Sequence, residues 1–416
     1  GIADAERAAV LSCSELQELG LDGIIPGQPE GHRLAMAVRA KLHHLANMSR
    51  SLTEVVTSRR SRAEYANYIR ECIDFMLWEY GRTRIASSIP PINPDIPSGE
   101  LSHLDGYDLT SILGRGHFSV VYKLEPRDWA ANQQQQVVKV LNKASIRDLT
   151  GVKSVRRQIE VMTAISSDRW SHPNIVKLYQ TYHSATHIFF RMEFGGPENQ
   201  YRRLIARDKE EGAGRRPLPM LRALAIIEQA MQALHHLHVG PKICHRDLKS
   251  ENYILRDEPD SPLALKLADF DLAMFQQDGA VCRSMCGTIP FTAPEVVLQP
   301  QYNGMAADIW SMGVVLLELL CSVRVVEQTL GITQRNPKDL FMGPDAAIDN
   351  KISAYFSDKG AVRRLLAERA RAELKPLLPE AQTALVNMLN IVPEDRWNAA
   401  RLREHLPRIR RSAEVE

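Results

Sequence analysis

Ile243-Cys244-His245-Arg246-Asp247-Leu248-Lys249-Ser250-Glu251-Asn252 lies mid-chain, with apolar residues before it and Tyr253-Ile254-Leu255 after it. A polar loop between two buried segments is predicted. Asp247, Lys249 and Asn252 are spaced so that a short loop can aim a carboxylate, an ammonium and an amide at one site. A motif this short carries weight only with companions, and the flanking sequence supplies them in order.

Upstream, Leu109, Ile112 and Leu113 lead into Gly114-Arg115-Gly116-His117-Phe118-Ser119-Val120-Val121-Tyr122-Lys123. Gln136-Val137-Val138-Lys139-Val140-Leu141 follows, a β-branched run typical of a buried strand. The glycines permit a turn tight enough for backbone N–H groups to approach phosphates, and Lys139 offers those phosphates a point charge. A strand hairpin with Lys139 on a third strand is predicted. Ile188-Phe189-Phe190-Arg191-Met192-Glu193-Phe194-Gly195-Gly196 reads as a later strand and its exit. Met220 to His238 has helical periodicity and leads into the central loop. Downstream stand Asp269-Phe270-Asp271, Cys286-Gly287-Thr288, Ala293-Pro294-Glu295, Asp308-Ile309-Trp310 and Pro393-Glu394-Asp395-Arg396-Trp397.

In this order, residues 107–407 resemble a eukaryotic-type protein kinase domain of the serine/threonine class, with H-R-D-L-K-x-x-N as its catalytic loop. The resemblance implies an α+β, bilobal kinase-like fold with an N-terminal helical extension. It divides the chain into a helical extension (1–86), a proline-rich linker (87–104), a small lobe (105–195), a large lobe (196–407) and a tail (408–416). Gly114 and Gly116 match the phosphate loop, Ser119 stands where its third glycine is usual, Val121 packs on adenine, and Lys139 pairs with the phosphates. The resemblance makes Met192 the gatekeeper, and the Glu193 carbonyl and Gly195 amide would read the adenine edge. By the resemblance, Asp247 would orient the substrate hydroxyl and accept its proton, Lys249 would stabilise the transferred phosphoryl, and Asn252 and Asp269 would bind Mg²⁺ or Mn²⁺. Ser284 stands near the activation-phosphorylation position, where Arg246 could pair with a phosphate. Thr288 is expected near Asp247 and Lys249. Asp308 holds the catalytic-loop backbone, and Arg396 pairs with Glu295.

Three residues depart from the family pattern. Ser119 lacks the conformational freedom of glycine. Gln158 occupies the helix position where a glutamate should pair with Lys139, because Val161, Met162 and Ile165 follow it at the expected intervals. Glu160 fits only a different register. Asp271 replaces the glycine of the metal-binding motif, and three consequences stay open: an inactive loop arrangement, weaker nucleotide binding, or a further Mg²⁺ ligand. The implied function is transfer of the ATP γ-phosphoryl to a protein hydroxyl, and the alternative is a pseudokinase acting as a signalling scaffold.

The chain has 416 residues with 52 basic and 50 acidic side chains, and nothing in its formal charge of +2 argues for a nucleic-acid surface, so no nucleic-acid partner is expected. Its six cysteines form no C-x-x-C pair and read as reduced thiols. No leader pattern opens the chain, and no window reaches about 18 apolar residues. Neither secretion nor membrane insertion is expected, and the setting would be cytoplasmic or nuclear. Ahead of the linker, Tyr65, Tyr68, Ile69, Cys72, Ile73, Met76, Leu77 and Tyr80 recur at helical spacing, as do apolar residues between Leu34 and Leu52. These helices would dock on the kinase domain or recruit a partner.

Overall fold

The β-branched runs form the sheet predicted for them. The computed structural model describes residues 59–79, 83–84, 103–104, 106–116, 119–126, 135–209, 218–256, 262–332 and 346–414. The helical reading of Leu34–Leu52, most of the proline-rich stretch, and His117 and Phe118 lie outside them. The described residues fall into two compact units. One runs to Arg156 and includes Tyr179–Met192, while the other holds Arg157–Leu178 and Glu193 onward.

The first unit contains α1 (Arg59–Glu79), β1 (Thr83–Arg84), β2 (His103–Leu104), β3 (Tyr107–Arg115), β4 (Ser119–Pro126) and β5 (Gln136–Asn142). It also holds the first half of α2 (Leu149–Ile165), most of β6 (Leu178–His183) and most of β7 (His187–Glu193). The sheet order is β1-β6-β7-β5-β4-β3-β2, so β3, β4 and β5 form an antiparallel meander. Side chains of β3 to β5, with Tyr182 of β6 and Phe189 of β7, make a core that includes Leu109, Tyr122, Leu124, Val138 and Val140. Two register shifts bend β3 before it reaches Gly114.

Helix α1 buries Tyr68, Ile69, Cys72, Ile73, Phe75, Met76 and Leu77, each at most 3% exposed. The chain then adds β1 alongside β6 as a parallel edge strand. Asp74 of α1 accepts from the buried Lys143 ammonium in the turn after β5, with His183 Nδ1 3.4 Å from the same nitrogen. A buried ammonium needs such a counter-charge.

The second unit is mostly helical. It contains β8 (Glu198–Asn199), α3 (Gln200–Lys209), α4 (Met220–Val239), β9 (Ile243–Cys244), β10 (Tyr253–Arg256), β11 (Ala264–Leu267) and β12 (Met274–Phe275). After these come α5 (Pro294–Leu298), α6 (Gly304–Leu320), α7 (Val325–Leu330), α8 (Ala346–Phe356), α9 (Ala361–Arg369), α10 (Leu378–Met388) and α11 (Ala399–Glu414). Helix α6 is buried along almost its whole length, as its run of apolar residues demands. Asn303 caps it by accepting from the Met305 and Ala306 amides at 2.9 and 3.2 Å. Gly304 opens it where a Cβ would come within 2.9 Å of the Cys244 and Cys282 sulfurs.

A sheet-based unit and a helical unit are the bilobal α+β arrangement expected from the sequence, with α1 ahead of it. At the C-terminal end, α11 carries on past residue 407, where the sequence reading ended the lobe. Ile409 and Ala413 continue its apolar stripe at 0% and 7% exposure, so the described part of the 408–416 tail is helical and buries two side chains.

Candidate active site

Two buried acidic side chains on α6, Asp308 and Glu318, fix the central loop. Asp308 accepts from the backbone N–H groups of His245 and Arg246, both at 2.7 Å, and meets His238 Nε2 at 2.9 Å. Farther along, Glu318 accepts from Ser250 Oγ at 2.5 Å. Arg246 takes a left-handed backbone conformation, φ 66°, which reverses the chain so that Asp247 can follow. The His245 ring packs 4.8 Å from Phe270, and its Nε2 lies 3.1 Å from the Ala268 carbonyl. Burial pushes the His245 imidazole below its usual pKa, despite Asp308 and Asp247 nearby.

This frame brings Asp247, Lys249 and Thr288 together. Lys249 Nζ donates to Asp247 Oδ2 at 2.7 Å and to Thr288 Oγ1 at 3.0 Å, and Thr288 Oγ1 donates to Asp247 Oδ1 at 2.8 Å. Burial works against the Lys249 charge, but the adjacent Asp247 and the nearby Asp269 and Glu251 outweigh it and raise its pKa. The ammonium therefore stays charged beside Asp247.

Asn252 and Asp269 are linked through the backbone, with the Ala268 N–H donating to the Asn252 carbonyl at 2.9 Å. The Asn252 amide nitrogen donates to the Asp247 carbonyl at 2.8 Å, which fixes Oδ1 as the end it can offer a cation. Asp269 adopts φ 65° and is exposed, while Phe270 is 1% exposed. The donor set is oxygen throughout, which suits a small hard cation such as Mg²⁺. Beside it, Gln158 is buried and its amide nitrogen donates to Asp271 Oδ1. Sequence reading singled out both residues as departures but did not place them in contact.

In the segment after Asp271, Arg246 donates through Nε to the Leu272 carbonyl at 2.8 Å and through Nη1 to Ser284 Oγ at 2.6 Å. Gly287 sits at φ 111°, a conformation side chains avoid, and a Cβ there would lie 2.8 Å from Thr292 Oγ1. It sets the approach of Thr288. Arg396 and Glu295 form a two-point ion pair at 2.6 and 2.8 Å, their side chains 1% and 2% exposed.

The remaining predicted residues divide between the units. In the first, Val121 on β4 stands opposite both Gly114 on β3 and Lys139 on β5, so the three form one row across the sheet. Lys139 is 8% exposed. The Gly116 N–H donates to the Ser119 carbonyl at 2.8 Å, closing the base of the hairpin. Met192 ends the same unit, half-buried on β7. In the second unit, Glu193 donates its N–H to the Lys177 carbonyl at 2.9 Å, and its carboxylate pairs with Lys266 at 2.8 Å. Gly195 lies against Ile254, which a Cβ there would meet at 3.1 Å.

With this loop and this two-unit fold, the chain belongs to the protein kinase family. A profile described as "Protein kinase domain" matches residues 107–406. Among its relatives, the serine/threonine-protein kinase SIK1 of Mus musculus is 31% identical over 215 residues, 52% of this chain and 25% of that protein. The carbon catabolite-derepressing protein kinase of Candida tropicalis is 30% identical over 231 residues, 56% of this chain and 33% of that kinase. CBL-interacting protein kinase 5 of Oryza sativa subsp. japonica is 33% identical over 221 residues, 52% of this chain and 43% of that protein. The chain thus spans less than half the length of these relatives. All three are named as kinases, and they lend no support to the scaffold alternative.

Proposed function

We propose that this chain is a protein serine/threonine kinase that transfers the γ-phosphoryl of ATP, with Mg²⁺ or Mn²⁺, to a protein hydroxyl. The observation that carries this reading is the Thr288 hydroxyl, which donates to Asp247 at 2.8 Å while Lys249 stands 3.0 Å from the same oxygen. An acceptor hydroxyl in that place would have a carboxylate to take its proton and an ammonium beside the oxygen that attacks. Asn252 and Asp269 would hold the cation, which would supply charge stabilisation to the phosphoryl oxygens. Gly114, Gly116, Ser119, Val121, Lys139, Met192, Glu193 and Gly195 are assigned to the nucleotide. Lys249, kept charged by its neighbours, offsets negative charge on the transferring group.

The extension serves this reading as a docking element of the small lobe, supported by the apolar face that α1 buries and by β1 on the sheet edge. The five described cysteines are free thiols, which supports a reducing setting in cytoplasm or nucleus. Among the described residues no helix is long and apolar enough to cross a membrane. Two of the three departures that favour a scaffold, Gln158 and Asp271, are bonded to each other, so they do not count as independent losses. The test is γ-phosphoryl transfer to serine or threonine by the wild-type chain and by Asp247→Asn, which removes the proton acceptor.

A further inference from the structure

Gln158 and Asp271 lie 113 residues apart in sequence and both belong to the second unit. Each replaces the residue of the family pattern, and the two are hydrogen-bonded to each other. Gln158 is 7% exposed, and its amide N–H is satisfied by Asp271 Oδ1. A glutamate at 158 would set a second carboxylate against Asp271, with no hydrogen between them at neutral pH. A glycine at 271 would remove that acceptor from a buried amide, and a buried donor without a partner is destabilising.

We propose that Gln158 and Asp271 form one positioning pair, in which the acidic group that the family pattern puts on α2 is carried by the loop at residue 271. One oxygen of Asp271 is committed to Gln158, so the loop that begins with Asp269 and Phe270 is fastened to α2. Asp271 is then a positioning residue and not a third metal ligand. The kinetic consequence of the pair rests on the kinase reading, but the pairing itself does not.

A double-mutant cycle on the full chain tests this, comparing the wild type with Gln158→Glu, Asp271→Gly and the double variant. The readouts are the thermal unfolding midpoint and the affinity for a fluorescent ATP analogue with Mg²⁺. Each single variant is expected to lower the midpoint and to weaken binding about tenfold, and the double variant to recover to within about threefold of the wild type. Asp271→Asn keeps an oxygen that can accept from Gln158, so it should hold the wild-type midpoint and the wild-type Mg²⁺ requirement. Additive losses in the cycle would overturn the pairing. So would an Asp271→Asn variant as unstable as Asp271→Gly, or one needing far more Mg²⁺. A wild-type chain that transfers no phosphate would count against the kinase reading alone, since unfolding and binding still read the pair.

Discussion

Arg246 ties the catalytic loop to the segment after Asp271. It is 6% exposed, and its guanidinium reaches the Leu272 carbonyl and the Ser284 hydroxyl together. Arg157 on α2 adds a second cation close by. Burial lowers the Arg157 pKa first, and the Arg246 charge lowers it further, so the two cations feel each other. A phosphate on Ser284 would place about −1.5 to −2 charges beside the Arg246 guanidinium and replace its bond to a neutral hydroxyl with an ion pair. Bonds to a charged group are worth about 1.5–3 kcal/mol each. Ser284-phosphorylated protein is therefore expected to transfer phosphate faster than phosphatase-treated protein or Ser284→Ala, in initial rates at saturating ATP. Equal rates in all three would remove Ser284 from regulation. Sequence alone pointed to Ser284 through its distance from Cys286, and to Arg246 through the loop motif. It gave no sign of Arg157, because a basic residue on a helix usually marks a solvated face.

Among the elements, α6 holds the catalytic loop at two points, Asp308 near its start and Glu318 near its end. Asp308 was legible because Asp308-Ile309-Trp310 sits in a recognisable motif. Glu318 was not, since it is one carboxylate inside the most apolar run of the chain, where nothing local names its partners. Those partners are Ser250 and the Arg324 N–H, the latter at 2.9 Å. Burial drives the Glu318 carboxyl up to about 8 from an ordinary 4.5, only partly relieved by the Ser250 hydrogen bond. The folded state then binds more protons than the unfolded chain between those two values, so stability falls as pH rises through that window, by up to about 1.4 kcal/mol per unit. Glu318→Gln cannot ionise, and its melting temperature should decline less steeply than that of the wild type between pH 5 and about 8. Parallel curves would show that Glu318 does not set this dependence. The same distant-contact problem hid the Gln158–Asp271 bond: both departures were visible as residues, and only folding brings them together.

In the whole molecule, the family and its fold were legible because the motifs stand in the same sequence along the chain as in the family. The placement of the extension was not, because an apolar helical stripe says that a face is buried without saying against what. The structure buries the α1 stripe in the sheet-based unit and extends that unit's sheet with β1. Phe75, 1% exposed on α1, should then behave as a core residue. Phe75→Ala is expected to cost about 3–5 kcal/mol, read as a lower thermal unfolding midpoint. A change typical of surface positions, within about 0.5 kcal/mol, would detach the helix from the unit's stability. The central claim, that Asp247 works as the proton acceptor of a phosphoryl transfer, is tested most directly by labelled ATP. Wild-type chain and Asp247→Asn are incubated with γ-labelled ATP, Mg²⁺ or Mn²⁺ and a basic protein substrate, followed by phosphoamino-acid analysis. Label on serine or threonine that falls about 10²–10⁴-fold in the variant, with nucleotide binding kept, is the predicted result. Equal labelling by both proteins, or none by the wild type even when phosphorylated at Ser284, would contradict it.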